Sequence, residues 1–274
     1  MDLEIKRMKP LLGTYVNIAL VGSKVSEDAS HHIIDQAFAK IEKIHRLMSF
    51  HDPNSDLSRI NHSDGDWVPV HPLVAKVLQL AVRMMHESQH AFNCTVGAQL
   101  VKVNALPWAE AKHHQYALVG DAFDIQIRGK NVRLKKKILI TLDGIAKGYA
   151  VDLAAEVLEK ADAQGYWINA GGDIRVGGDI QLPVTQREQD GSLQPLIVLR
   201  NQSLASSELR EKFNPYFPSY LVGSNRSAKT GIYTIQAPRT WVADALTKVA
   251  AFAHQDILSH LLKQYDAQLL RAPQ

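Results

Sequence analysis

The stretch ITLDGIAKGYAVDLAAEVLEKADAQGYWINAGGDIRVGG, residues 140–178, carries the densest structural signal in the chain. It reads as strand, tight turn, helix, turn, strand and glycine-rich turn. Ala150, Leu153, Ala154, Val157 and Leu158 recur at helical spacing and form the inner face of that helix. Ahead of it, Asp143-Gly144-Ile145-Ala146-Lys147-Gly148-Tyr149 places two glycines and one lysine where a helix starts. Free N–H groups at a helix start, close approach allowed by glycine and one cation make a phosphate cradle. It is not a Walker A loop, because that spacing and the hydroxyl after the lysine are both missing. The competing reading is a glycine-punctuated strand-to-helix turn with a surface lysine. A second cluster, Ala170-Gly171-Gly172-Asp173-Ile174-Arg175, follows a short strand, and its Asp and Arg either face a ligand or satisfy the turn.

Outward from that stretch, the pattern alternates between strands and helices. Residues 11–21 alternate like a strand, and 26–47 form an amphipathic helix with Ile33, Ile34, Ala37, Ile41 and Ile44 on one face. Residues 48–61 read as a turn-rich loop and 73–90 as a second helix. Residues 92–103 then run into the break at Leu106-Pro107. Two strands flank Gly129-Lys130-Asn131 within 123–140. A polar loop is expected over 182–195, an aromatic, proline-containing one over 212–220, a strand over 232–237 and a helix over 242–252. The run Lys135 to Lys137 is a solvated face. No repeat and no long polar linker divides the chain, so 1–274 is expected to fold as a single compact unit.

Composition narrows the function classes. The 274 residues are 46% hydrophobic and 22% charged, an ordinary globular balance able to bury a full core. A formal charge of +3, from 31 Lys and Arg against 28 Asp and Glu, is too small to imply a nucleic-acid partner. One cysteine, Cys94, excludes an intrachain disulfide framework and a multi-cysteine zinc site. The first residues lack the apolar run of a signal peptide, and 11–21 is too short to span a membrane. The expectation is a cytoplasmic protein with no membrane anchor in this chain.

Two further constellations hold chemistry. Ala243-Asp244-Ala245-Leu246-Thr247-Lys248 opens a helix, and residues three and four after Asp244 share its face, so Asp244, Thr247 and Lys248 converge. A carboxylate with a hydroxyl suits Mg²⁺, while an N-terminal cap explains the same residues. His86-Glu87-Ser88-Gln89-His90 is a formal H-E-x-x-H, with Glu110 as a distant third ligand. On a zinc peptidase the two imidazoles would bind the metal with Glu87 as general base. Against that stand the twelve histidines, which make accidental matches easy, the helix end at His90 and the break at Pro107.

In order along the chain, these segments resemble the ApbE flavin transferases, which move FMN from FAD onto a Thr or Ser hydroxyl of a target protein, using Mg²⁺. The likeness starts at Leu12-Gly13-Thr14 and continues through residues 48–57 (MSFHDPNSDL) and Ala91-Phe92-Asn93-Cys94-Thr95-Val96-Gly97. It is strongest at residues 144–152 (GIAKGYAVD) and 169–175 (NAGGDIR), and ends with Ala237-Pro238 and Ala243-Asp244-Ala245-Leu246. The resemblance implies an α/β (α+β) fold with mixed sheets flanked by helices and FAD held between lobes. On the family pattern Leu12, His51, Ala91, Phe92, Asn93 and Lys147 line the FAD site. Gly144 supplies a carbonyl and Asp244 a carboxylate to the metal.

Departures from the pattern matter as much. The family's Asp six residues before the lysine is Thr141 here, with Asp143 two residues on to compensate, and the Asp of its Ala-Phe-Asp is Asn93. The family's His-Ile-x-Asp-Pro-x-Thr-Gly aligns with 224–231, where Ser224 stands for the His and Ser227 for the Asp. The metal hydroxyl belongs four residues after Asp244, but Lys248 occupies that position and Thr247 lies one residue early. An ammonium cannot ligate Mg²⁺, although Lys147 and Lys248 together can neutralise a diphosphate in place of the ion. The reading is FMN transfer from FAD to a target-protein hydroxyl with AMP leaving. Asp244, Gly144 and Thr247 are the metal candidates, Lys147 and Lys248 hold the pyrophosphate, and Asp244 or Asp173 orients the hydroxyl. The alternatives are a flavin-binding homologue that has lost transfer and the zinc peptidase.

Overall fold

A computed structural model describes residues 4–107, 116–188, 191–210 and 228–273. The chain opens with a hairpin of β1 (Glu4–Leu11) and β2 (Thr14–Ser23). Residues 11–21 are therefore not one strand: Leu12 and Gly13, at φ 56° and 70°, turn the chain between two. A left-handed backbone at a leucine is uncommon, and sequence alternation runs straight through it. Next come α1 (Glu27–Met48) and α2 (Asp56–Asn61), the latter inside the segment expected to be loop. Its start is signalled by Ser55, whose hydroxyl accepts the Ser58 N–H, but six residues are too few to show a period. β3 (Val68–Pro69), α3 (Pro72–Glu87), α4 (Gly97–Lys102), β4 (Ile125–Arg128) and β5 (Asn131–Leu134) complete the first half, and β3, β5 and β4 form a small sheet.

The second half runs α5 (Ala146–Leu158), β6 (Ala163–Ala170), β7 (Asp173–Gly178), β8 (Leu182–Arg187), β9 (Leu193–Leu199), β10 (Ser203–Leu209), β11 (Gly231–Ala237), α6 (Thr240–Phe252), α7 (Gln255–Gln264) and β12 (Gln268–Arg271). The expected polar loop over 182–195 is instead most of the β8–β9 hairpin. Its alternate side chains face solvent, which hid the strand pattern. The main sheet has seven strands in the order β1-β2-β6-β7-β10-β11-β12, each pair antiparallel. Val16, Ile18 and Leu20 of β2, with Tyr166 and Ile168 of β6, point to the helical side. There they meet Ile34, Phe38, Ile41 and Ile44 of α1 and Ala150, Val151 and Ala154 of α5. On the opposite side Val184 and Leu199 of the β8–β9 hairpin cover Ile174, Val176 and Leu204. Among the described residues no helix is long and apolar enough to cross a membrane.

Helices α5 and α6 carry no side-chain cap of their own, since Ile145 and Arg239 occupy their cap positions. Each is capped by the other. Asp152 of α5 accepts the Thr240 and Trp241 N–H groups at 2.9 and 3.0 Å, and Asp244 of α6 accepts the Gly148 N–H at 3.2 Å. A carboxylate at a helix N-terminus satisfies orphan donors and complements the helix dipole. The helices meet at Gly148, where an added Cβ would lie 2.6 Å from the Thr240 carbonyl oxygen, so only glycine allows the approach.

Replacing Asp152 with Ala strips two buried N–H groups of their acceptor. Each unmet donor costs about 1–3 kcal/mol, so a loss of roughly 2–6 kcal/mol is expected in urea denaturation. Asp152→Asn, which retains one acceptor oxygen, should lose less.

Candidate functional site

Between the main sheet, α1, the start of α5 and α6 lies a cavity of about 900 Å³. Leu12, His51, Ala91, Phe92, Asn93, Thr141, Asp143, Gly144, Lys147 and Lys248 all line it. These residues are scattered over most of the sequence, and the fold gathers them on one wall system. Leu12 reaches it from the β1–β2 turn, and the Gly171–Gly172 turn between β6 and β7 reaches it beside Thr14. Both glycines of that turn have positive φ (61° and 102°), and a Cβ on Gly171 would sit 2.5 Å from Thr14 Oγ1. The turn is held by the Asn169 side chain, which accepts the Gly172 N–H at 3.0 Å.

Two lysines face the cavity, each backed by a buried carboxylate. Lys147, in the first turn of α5, has its Nζ 3.4 Å from Asp173 Oδ2. Lys248 of α6 forms an ion pair with Asp244 Oδ1 and donates to the Asp244 carbonyl oxygen at 3.0 Å. Asp173 and Asp244 are themselves 1% exposed and stand behind the lysines, outside the cavity lining. Burial opposes the charge on Lys147, but Asp173, Asp244 and Asp143 together hold its ammonium above the usual lysine value. Burial pushes the Asp173 carboxyl up to about 7, a rise resisted by Lys147 and reinforced by Asp244. Beyond the Lys147 contact, Asp173 Oδ2 has no hydrogen-bond partner among the described residues. Asp143 lies open to the cavity, and its carboxyl is raised mainly by desolvation against the cavity floor. Thr141 donates to it at 3.0 Å.

The remaining candidates separate. Thr247 is fully buried, donates to the Asp244 carbonyl oxygen at 2.7 Å and shares a 2.7 Å hydrogen bond with Ser207. It is not in the cavity lining. Asn93 lines the cavity while its side-chain oxygen accepts from the Thr95 N–H and hydroxyl at 2.8 and 2.7 Å. Arg175 is turned away, with its guanidinium on the Pro238 carbonyl at 2.8 Å. Ser224 and Glu110 lie outside the described residues. On the far wall Ser206, Ser207 and Glu208 of β10, which stand where the family has Thr-Ser-Gly, line the cavity with Gln186 and Arg187 of β8, and the latter two carry no signal in the sequence.

The H-E-x-x-H pattern does not assemble. His86 and Glu87 end α3, whereas His90 follows with φ 65° and pairs with Asp121 at 3.4 Å. The Glu87 carboxylate accepts from Arg83 at 2.7 Å and from Tyr265 at 2.5 Å, and His86 packs edge-on against Phe123. Among the described residues no group of three or more His, Cys, Asp or Glu is placed to hold a metal ion.

The profile of the ApbE family matches residues 12–269. Over 220 residues the chain is 27% identical to the FAD:protein FMN transferase of Haemophilus influenzae, covering 72% of this chain and 63% of that protein. Over 179 residues it is 25% identical to the FAD:protein FMN transferase of Vibrio cholerae, covering 62% of this chain and 53% of that one. The match thus spans less than two thirds of either relative's length. The apo structure of Pseudomonas stutzeri flavinyl transferase ApbE shares the fold, with a TM-score of 0.77 at 18% identity over 100% of this chain and 93% of that one.

The raised Asp173 carboxyl has a signature in stability. A carboxyl whose folded pKa is about 7 rather than 3.8 favours the folded state below the lower value, and that contribution is lost as pH rises toward the higher one. Thermal melts from about pH 4 to 7 should therefore show wild type losing stability relative to Asp173→Asn. Parallel curves would mean that Asp173 ionises normally.

Proposed function

The chain belongs to the ApbE family, and from that membership and the paired lysines of the cavity we propose that it transfers FMN from FAD to a hydroxyl of a target protein. The observation that carries this reading is the placement of Lys147 and Lys248 on the wall of one cavity with Leu12, His51, Ala91, Phe92 and Asn93. A dinucleotide needs an apolar bay for its ring system and fixed cations for its diphosphate, and this cavity offers both. The names of the curated relatives point to the same substrate.

In the proposed reaction an acceptor Thr or Ser oxygen attacks the FMN-side phosphorus of FAD. A new P–O bond forms, the bond to the bridging oxygen breaks, and AMP departs with that oxygen and its electron pair. Lys147 and Lys248 hold the two phosphoryl groups and offset charge that builds on the leaving side. Asp143 is the carboxylate beside them on the wall, so it orients the incoming hydroxyl and takes its proton. Asp173 and Asp244 are positioning residues, because each acts through the lysine in front of it. The family's Mg²⁺ is a poor fit to the residues present, since the Asp244 carboxylate is already shared by Lys248 and Gly148 and the Thr247 hydroxyl is turned away.

A second reading, FAD held without transfer, is favoured by the same lysine on Asp244. One experiment separates the two. The purified protein is incubated with FAD and a threonine-bearing acceptor, then assayed for AMP and for flavin fluorescence on the denatured acceptor. Transfer predicts both products, and Lys147→Ala should slow their appearance about a hundredfold or more. Bound FAD that stays whole would demote the protein to a flavin-binding module, and no flavin binding at all would remove both readings.

A further inference from the structure

We infer that the Lys248 ammonium is a built-in replacement for a divalent cation, so that this protein grips the diphosphate of a flavin dinucleotide without metal. The inference rests on the flavin reading above and specifies how that site meets its ligand's charge.

The position expected for a metal lies between the backbone of Gly144 and the carboxylate of Asp244, and the Lys248 side chain fills it. Its stem packs on Gly144, where an added Cβ would lie 3.4 Å from Lys248 Cε and 3.8 Å from Cδ. Its ammonium is bonded to Asp244 at both the carboxylate and the backbone carbonyl oxygen. The other carboxylate oxygen of Asp244 accepts the Gly148 N–H at 3.2 Å. The hydroxyl expected to complete a metal shell, on Thr247, donates to the Asp244 carbonyl oxygen at 2.7 Å and shares a 2.7 Å hydrogen bond with Ser207. Both carboxylate oxygens and the carbonyl oxygen of Asp244 are thus engaged by an N–H, an ammonium or a hydroxyl.

Charge decides the rest. A second cation entering beside Asp244 meets the fixed positive charge of Lys248 on a carboxylate already paired, and Mg²⁺ gives up its water shell only for hard oxygen ligands. Lys248 lies 16% exposed by side chain, open to the cavity, and Lys147 is 28% exposed on the same wall. Two ammonium groups carry the charge that one Mg²⁺ would bring. They are anchored through Asp173 and Asp244 to two different elements, so their spacing is set before any ligand arrives.

The test is equilibrium FAD binding to the full chain, followed by flavin fluorescence in EDTA and again in millimolar Mg²⁺, with Mn²⁺ binding read separately by electron paramagnetic resonance. Wild type should bind FAD equally well in both buffers and take up no stoichiometric Mn²⁺. Lys248→Thr puts a hydroxyl where the ammonium was. Charged hydrogen bonds are worth about 1.5–3 kcal/mol, so FAD affinity in EDTA should fall roughly tenfold to a hundredfold. Mg²⁺ should restore it, and Mn²⁺ should now bind. Lys248→Met, which offers no oxygen ligand, should lose affinity in both buffers, and thermal melts of both variants confirm that they are folded. A tenfold or greater gain in wild-type affinity on adding Mg²⁺, a stoichiometric Mn²⁺ in wild type, or unchanged affinity of Lys248→Thr in EDTA would each overturn the inference while leaving the flavin reading intact. FAD binding in neither buffer would sink the flavin reading, and this inference with it.

Discussion

Two buried carboxylates exchanged between α5 and α6 hold this molecule's chemistry in place. Taking a carboxylate out of water is costly by several kcal/mol, and only charged hydrogen bonds of good geometry offset it. Asp152 and Asp244 meet that requirement by accepting N–H groups at the start of the opposite helix. Burial still raises the Asp152 carboxyl above its usual range, although both its oxygens are bonded. The two helices share no other capping side chain at these ends, so neither can rotate without exposing donors of its neighbour. Lys147 sits one residue from the capped N–H of Gly148, and Lys248 one turn beyond Asp244.

The cavity inherits its character from that seam. Its two lysines are mounted on the helices, and its apolar bay is made by Leu12, Ala91 and Phe92 from turns. Leu12 holds a left-handed backbone at the mouth, a local strain that persists because the β1–β2 ladder on both sides fixes it. The far wall comes from β8 and β10, on the side of the sheet where a second, smaller core packs.

How much of this was legible in the sequence differs between levels. The long helices α1 and α6 were legible, because a 3.6-residue period sustained over several turns has no other reading. So were the strands around 129–131 and 232–237. The short helix at 56–61 and the 182–199 hairpin were not, since neither gives enough buried positions to set a period. In the site, spacing led to the expectation that Asp244, Thr247 and Lys248 converge on one side of a helix. It carried no information on depth, and depth is what assigns Lys248 to the cavity and Thr247 to the core. Ser206-Ser207-Glu208 stand in the sequence where the family has Thr-Ser-Gly, but it is pairing with β11, far along the chain, that brings them to the wall.

Gly148 has a bearing on how this family can vary. With no room for one more carbon between α5 and the Thr240 carbonyl, the helices are set at a separation that only glycine at 148 allows. A lineage could exchange the cation on α6 for a neutral ligand, or the reverse, by changing a single side chain on an undisturbed frame. A change at residue 148 would instead displace the frame, and every charge mounted on it would shift together.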